Sequence, residues 1–217
     1  MSILHHAIPN DPYYNDVVLH LRGYDAQSGQ VFKDYSKYNR QINVYGNTSH
    51  STTQKKYGNS SIYFDGSGDY LTVPASSDFA FGTGNFTIEL FCYIYSISSG
   101  KRRLFDFSDD RDNVELSSNA SIGYWDGFTL FISVSNVFNF NAFNYITIIR
   151  SNLNLKIYIN NVLVLNVTTN SNNNSRSFVL GGLSPSIPLF YGFIEDLRIT
   201  KGIARPIAIP TQPFPNF

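Results

Sequence analysis

FTIELFCYIY, residues 86–95, alternates without a break. Phe86, Ile88, Leu90, Cys92 and Ile94 fall on one side, and Thr87, Glu89, Phe91, Tyr93 and Tyr95 on the other. Period two is the geometry of a strand, whose successive side chains point to opposite faces. The same pattern recurs in LKIYIN, where Leu155, Ile157 and Ile159 oppose Lys156, Tyr158 and Asn160. In FTLFISV, Phe128, Leu130, Ile132 and Val134 alternate with Thr129, Phe131 and Ser133. Each stretch predicts a half-buried antiparallel strand.

Turn signals punctuate these runs: Asp65-Gly66, Gly82-Thr83-Gly84, Asp126-Gly127, Asn160-Asn161 and Gly181-Gly182. Asn tolerates positive φ, so Asn160-Asn161 predicts a two-residue hairpin. No window keeps a 3.6-residue period over three turns. Many short strands at this spacing predict an all-β sandwich or jelly roll.

Composition agrees. Of 217 residues 42% are hydrophobic and 16% aromatic, with 18 Phe, 15 Tyr and one Trp, whereas only 15% are charged. Aromatic side chains suit a pleated, half-buried surface. The net charge is zero and the pI about 6.9. Nothing forms the basic stripe that neutralises a phosphate backbone, so no nucleic-acid partner is expected. Cys92 is the single cysteine, which excludes an internal disulfide and a thiolate zinc cluster; it reads as a small buried hydrophobe. No stretch reaches the roughly 18–20 apolar residues of a membrane span, and the N-terminus has no secretory pattern. The expectation is synthesis in a host cytoplasm with no membrane partner, any outside role being reached by another route, such as a virus particle. The Asn-x-Ser/Thr triplets then reflect an Asn-rich composition. The chain divides into an N-terminal arm (1–15), one β-domain (16–202) and a C-terminal tail (203–217) carrying Pro206, Pro210, Pro213 and Pro215. A proline-rich tail cannot enter a sheet interior and is expected to run over the surface or meet a neighbour.

Asp65-Gly66-Ser67-Gly68-Asp69 admits three readings. It is a tight hairpin, a loop offering hard oxygens to Ca²⁺, or a pair of catalytic carboxylates. The acidic loop FSDDRDN (107–113) is a solvated hairpin tip, a second calcium site or a sugar-contacting loop. GYWDGF (123–128) holds Trp125 and Asp126, either a core aromatic with its turn or a stacking platform with a hydroxyl acceptor. Tyr93, Tyr95 and Tyr158 share the polar phase of their strands and are candidates to stack on sugar or protein. His5, His6, His20 and His50 lack metal-ligand spacing, and neither a Gly-x-Ser-x-Gly elbow nor a phosphate-binding Gly-x-x-x-x-Gly-Lys occurs.

YFDGSGDYLTVP, DFAFGTGNFTIELFCYI, LKIYINNVLVLNV and GFIEDLRITKGIAR, in that order, resemble the laminin-G-like, concanavalin A-like domains. The likeness is strongest to versions in bacteriophage structural proteins, which open with a segment like VVLHLRGYDAQSGQVFKDYSKYNRQINVYGN and close with one like PTQPFP. It runs from about Asp16 to Pro215. It implies a jelly-roll sandwich of two antiparallel sheets with a binding or structural duty. Many relatives hold a structural calcium near their first and last strands. The matching positions are Asp34 and the Glu195-Asp196 pair, where Asp34 with the carbonyls around Tyr38 and Asn39 would meet Asp196; Asp65 and Asp69 are the carboxylates of the loop read above as a calcium candidate. Relatives that cleave glucans carry Glu-x-Asp-x-x-Glu or Glu-x-Asp-x-Glu, which is absent here, so no enzyme is expected. The expectation is a virion-associated protein binding a surface glycan or a neighbouring virion protein, and forming homo-oligomers. The alternative is a purely structural capsid decoration or tail accessory protein, and a glycan hydrolase is the third reading.

Overall fold

The computed structural model describes residues 11–24, 28–108, 111–172, 174, 176–182 and 189–215. Residues 1–10 of the expected arm, with His5 and His6, lie outside the described residues. So do Asp109 and Asp110 of the acidic loop, and Asn173 and Ser175 of the Asn/Ser tract.

Strands are numbered along the chain. The first sheet runs in space from β13 (Val162–Thr168) through β12 (Asn154–Ile159), β11 (Phe143–Ser151), β6 (Phe86–Ile94), β15 (Tyr191–Lys201) and β4 (Ser61–Asp65) to β3 (Ser49–Ser51). β1 (Val17–Leu21) pairs with the C-terminal half of β15. The second sheet runs from β10 (Leu130–Ile132) through β9 (Ile122–Trp125), β8 (Asn113–Ser117), β7 (Lys101–Asp106), β14 (Arg176–Leu180) and β5 (Tyr70–Ser76) to β2 (Asn43–Tyr45). These strands pair antiparallel, and the molecule is the two-sheet sandwich that the alternation predicts.

The apolar phases meet between the sheets. Ile88, Leu90 and Cys92 of β6, Leu155, Ile157 and Ile159 of β12, and Ile194, Leu197 and Ile199 of β15 are all buried. Opposite them lie Leu71, Val73, Val114, Leu116, Ile122, Phe178 and Leu180 of the second sheet, in one continuous cluster. Each such side chain contributes on the order of 1.5–3 kcal/mol through burial. Asn160 and Asn161 take φ of 49° and 66° and close the β12–β13 hairpin.

Two local expectations change. Asp65–Asp69 is not a hairpin, because β4 belongs to the first sheet and β5 to the second. Gly66 and Gly68 (φ 81° and 78°) turn the chain from one layer into the other. The Asp69 carboxylate accepts the Asp65 amide at 2.8 Å and the Asn47 amide at 2.7 Å, and so ties the crossing together. Within 128–134 only Leu130–Ile132 is strand. Phe128, Ile132 and Val134 face solvent, 70%, 50% and 75% exposed, while Phe131 packs against the core. The inward phase is therefore the opposite of the one richer in apolar residues. β10 is the last strand of its sheet, where covering layers end and alternation loses its meaning.

Candidate binding face

The outer face of the first sheet, turned away from the core, is organised in rows by the strand register. Tyr63, Phe193, Tyr93 and Phe143 stand side by side across β4, β15, β6 and β11. One step outward, Tyr191 is in register with Asp65, and Tyr95 donates its amide to the Tyr191 carbonyl. The rings touch. Tyr95 lies 4.4 Å from Tyr191 between centroids, Tyr63 4.9 Å from Phe193, and Tyr93 5.6 Å from Phe143. Phe193 is buried as the floor, Tyr63, Tyr93, Tyr95 and Phe143 are half-buried, and Tyr191 is 39% exposed. Burial, then the Tyr191, Asp65 and Tyr95 groups beside it, push the Tyr63 hydroxyl above its ordinary value. Burial, then Tyr191 and Tyr93, do the same to Tyr95. These hydroxyls stay protonated, able to donate as well as accept.

Further along, the face is covered by the C-terminal tail. Phe91 and Tyr145 form the next row, and Phe214 packs on them. The Arg198 guanidinium sits 3.9 Å from the Phe214 ring centre. The Phe214 amide donates to Asp196 Oδ2 at 2.5 Å, and Tyr57 donates its hydroxyl to the Pro210 carbonyl. Beyond lies a buried charge network. Arg198 donates to Glu89 at 2.8 and 3.1 Å and to Asp11 at 3.0 Å, Arg205 holds Asp11 at 2.7 and 2.9 Å, and the Tyr145 hydroxyl donates to Glu89 at 2.5 Å. Two cations thus face two anions, as a buried cluster requires.

The carboxylates expected at a metal are engaged otherwise. Asp34 accepts the amides of His20, Ser36 and Arg40 and the Ser36 hydroxyl, all at 2.8–3.0 Å. Asp196 lies close by through His20, whose Nε2 is 2.9 Å from Asp196 Oδ1 and whose amide meets Asp34. Asn39 takes φ 45° in the turn after Asp34. Asp65 accepts the Ser67 amide at 2.7 Å. A calcium ion needs six to eight oxygens with lone pairs directed at it. Here the lone pairs of Asp34 are filled by N–H and O–H donors, so this donor set does not fit a cation. Among the described residues no group of three or more His, Cys, Asp or Glu is arranged to hold a metal.

The remaining sequence candidates are scattered. Trp125 faces outward on the second sheet and lines a hollow of about 180 Å³ with Lys101, Arg103, Glu115 and Leu130. Asp126 caps its own turn, accepting the Phe128 and Thr129 amides and the Thr169 hydroxyl. Tyr158 shares the outer face of the first sheet, but it lines a groove on the far side of the tail with Ile149 and Lys156. Only Tyr93 and Tyr95 come together. Sequence reasoning missed Tyr63, Tyr191, Phe143 and Phe193. Their signal was present, since Tyr63 alternates with Ile62 and Phe64, but it becomes readable only when the strand order is known.

With the geometry in place, comparisons locate the fold. The chain is similar to the binding domain of Paraclostridial Mosquitocidal Protein 1 (TM-score 0.70, 14% identity, covering 89% of this chain and 50% of that one). It is similar to the botulinum neurotoxin serotype D binding domain (0.66, 16%, 89% and 50%). It is also similar to domain 4 of AbnA, a GH43 extracellular arabinanase from Geobacillus stearothermophilus, solved in complex with arabinotriose (0.65, 16%, 88% and 94%). The chain spans about half the length of the two toxin binding domains. At these identities the likeness establishes the fold. No curated protein matches the sequence. The family profile described as the concanavalin A-like lectin/glucanases superfamily matches residues 65–205, well over half the chain. Together with the two-sheet sandwich, this match establishes that the chain belongs to the concanavalin A-like lectin/glucanases superfamily.

Proposed function

We propose that this protein is a non-catalytic binding module that holds carbohydrate on the tyrosine platform of its first sheet. One observation carries the reading: Tyr63, Tyr93, Tyr95, Phe143, Tyr191 and Phe193 form a single connected ring surface beside the tail. A sugar ring presents an apolar face that stacks on aromatic carbon and an equatorial rim of hydroxyls. The Tyr63, Tyr95 and Tyr191 hydroxyls and the Asp65 carboxylate at the edge offer donors and an acceptor to that rim. The rings are carried by paired strands and braced by one another, so little side-chain freedom is lost on binding. Similar folds, two solved as toxin binding domains and one in complex with arabinotriose, support a binding role.

The wider proposal is attachment on a virus particle, where many weak contacts act together. That location rests on the likeness of the sequence blocks to bacteriophage structural domains. A neighbouring virion protein is the alternative occupant of the platform.

A glycan array with multivalently displayed protein tests the reading. Selective retention is expected, with Tyr95→Ala and Tyr191→Ala each weakening it about tenfold, the loss of roughly 1.4 kcal/mol per anchoring ring. Trp125→Ala is expected to leave it unchanged. Retention that survives both tyrosine changes, or no retention of any glycan, overturns the proposal.

A further inference from the structure

The tail segment Pro210–Pro215 (PTQPFP) sits on the first sheet as a ligand sits on a receptor. Phe214 is 2% exposed, clasped by Phe91, Tyr145 and the Arg198 guanidinium. Its amide is taken by Asp196, and the Pro210 carbonyl by the Tyr57 hydroxyl. Aromatic walls, a hydroxyl donor aimed at a prolyl carbonyl and a buried anchor ring together make a groove for proline-rich chain. The walls that hold Phe214 and Pro210, namely Tyr57, Phe91, Tyr145, Asp196 and Arg198, all lie outside the tail.

The segment is lightly tethered. Between Arg205 and Phe214 lie eight residues, none of them in a strand. Among the described residues their backbone makes one hydrogen bond to the rest of the chain, the one at Pro210. They arch over a cavity of about 350 Å³ whose floor is the Asp11, Glu89, Arg198 and Arg205 network. Lifting the arch breaks no sheet. Four prolines restrict the free tail, which lowers the entropy lost on docking. From Pro206 to Pro215 the tail carries no charge, matching a floor of two cations and two anions.

We propose that this groove is a recognition site for Pro-Thr-Gln-Pro-Phe-Pro, and that it accepts the segment from a second copy of the chain as well as from its own. The contacts are the same either way. The tethered segment wins in dilute solution because its effective concentration is on the order of millimolar. Where copies crowd above that level, tails pass between neighbours, and each copy supplies Phe214 to the next.

The test uses the full chain carrying Phe214→Ala, which empties the groove, and a dye-labelled peptide of residues 203–215. The peptide is expected to bind this variant at least tenfold more tightly than wild type, whose own tail competes. Adding Tyr145→Ala, or replacing Phe214 in the peptide by Ala, is expected to abolish binding. Should the variant fold, judged by its near-UV spectrum, yet ignore the peptide, the proposal is overturned. A second measurement does not depend on that fold. Isotopically light and heavy wild-type chains, each with a photoreactive phenylalanine analogue at position 214, are mixed at rising concentration and irradiated. Light-to-heavy crosslinks between position 214 and the Phe91 or Tyr145 peptides, increasing with concentration, support exchange. Crosslinks confined to one chain at every concentration overturn it.

Discussion

At the scale of single residues, Asp11 decides how the tail is held. Burial alone would push its carboxyl up, but Arg205 and Arg198 outweigh burial and hold it below its ordinary value of 3.8. The unfolded chain then takes up the proton first as the pH falls. The stability that Asp11 contributes is therefore complete above 3.8 and is lost as the pH drops through the folded value. Asp11→Asn is expected to cost about 3 kcal/mol at pH 7, because it leaves buried guanidiniums without their partner. Thermal melts across the acid range should show the gap between wild type and variant closing below 3.8. A gap that stays constant would mean that packing, and not charge, makes the anchor. None of this was legible beforehand. Asp11 lies in the stretch read as an N-terminal arm, and its partners are 187 and 194 positions away.

At the scale of elements, β15 does most of the positioning. It bridges β6 on one side and both β4 and β1 on the other. A bulge at Asp196 (φ 62°) breaks its register with β6 between Glu195 and Arg198. On a regular strand Glu195 and Asp196 would point to opposite faces. With the bulge both serve the outer side, Glu195 accepting the amides of residues 56–58 and Asp196 the amide of Phe214. Gly192, four residues earlier at φ 151°, sets the platform. A Cβ there would stand 2.0 Å from the Tyr93 carbonyl oxygen. Gly192→Ala is expected to cost about 2–4 kcal/mol in denaturant unfolding, and to weaken glycan retention further by parting β15 from β6. Full stability with retained binding would show that the two strands slide without loss. GFIEDLRITKGIAR was legible as a block of the family resemblance, but a bulge depends on what the partner strands demand, which local pattern does not carry.

For the whole molecule, the tie between the first and last strands is built of hydrogen bonds. Asp34 and Asp196, near the first and last strands, are joined by His20. Calcium followed by a chelator is expected to leave the melting temperature unchanged, because a ligand that does not bind the native state cannot shift it. A rise with calcium would return Asp34, Asn39 and Asp196 to a metal role. The two sheets also differ in how they are finished. The first is crossed by the tail, so that its outer face is divided into a covered half and an open aromatic half. The second bears Trp125 alone among its expected contact residues.

What the sequence determined by itself is the class of fold and the burial phase of its long strands. Period-two patterning is a local property: in β6 and β12 each side chain reports its own face, and every apolar phase of those strands is in the core. The ordered blocks carried the family for the same reason, since each is a continuous stretch. What only the tertiary structure decided is which outward residues become neighbours. Tyr63, Tyr95 and Tyr191 are far apart in the chain and meet through the order β4–β15–β6. The Asp65–Asp69 loop looked like a hairpin because two strands and two glycines are the same text whether the strands pair or part. Pairing is settled by competition among all the strands for hydrogen bonds and burial, and that competition is a property of the folded whole.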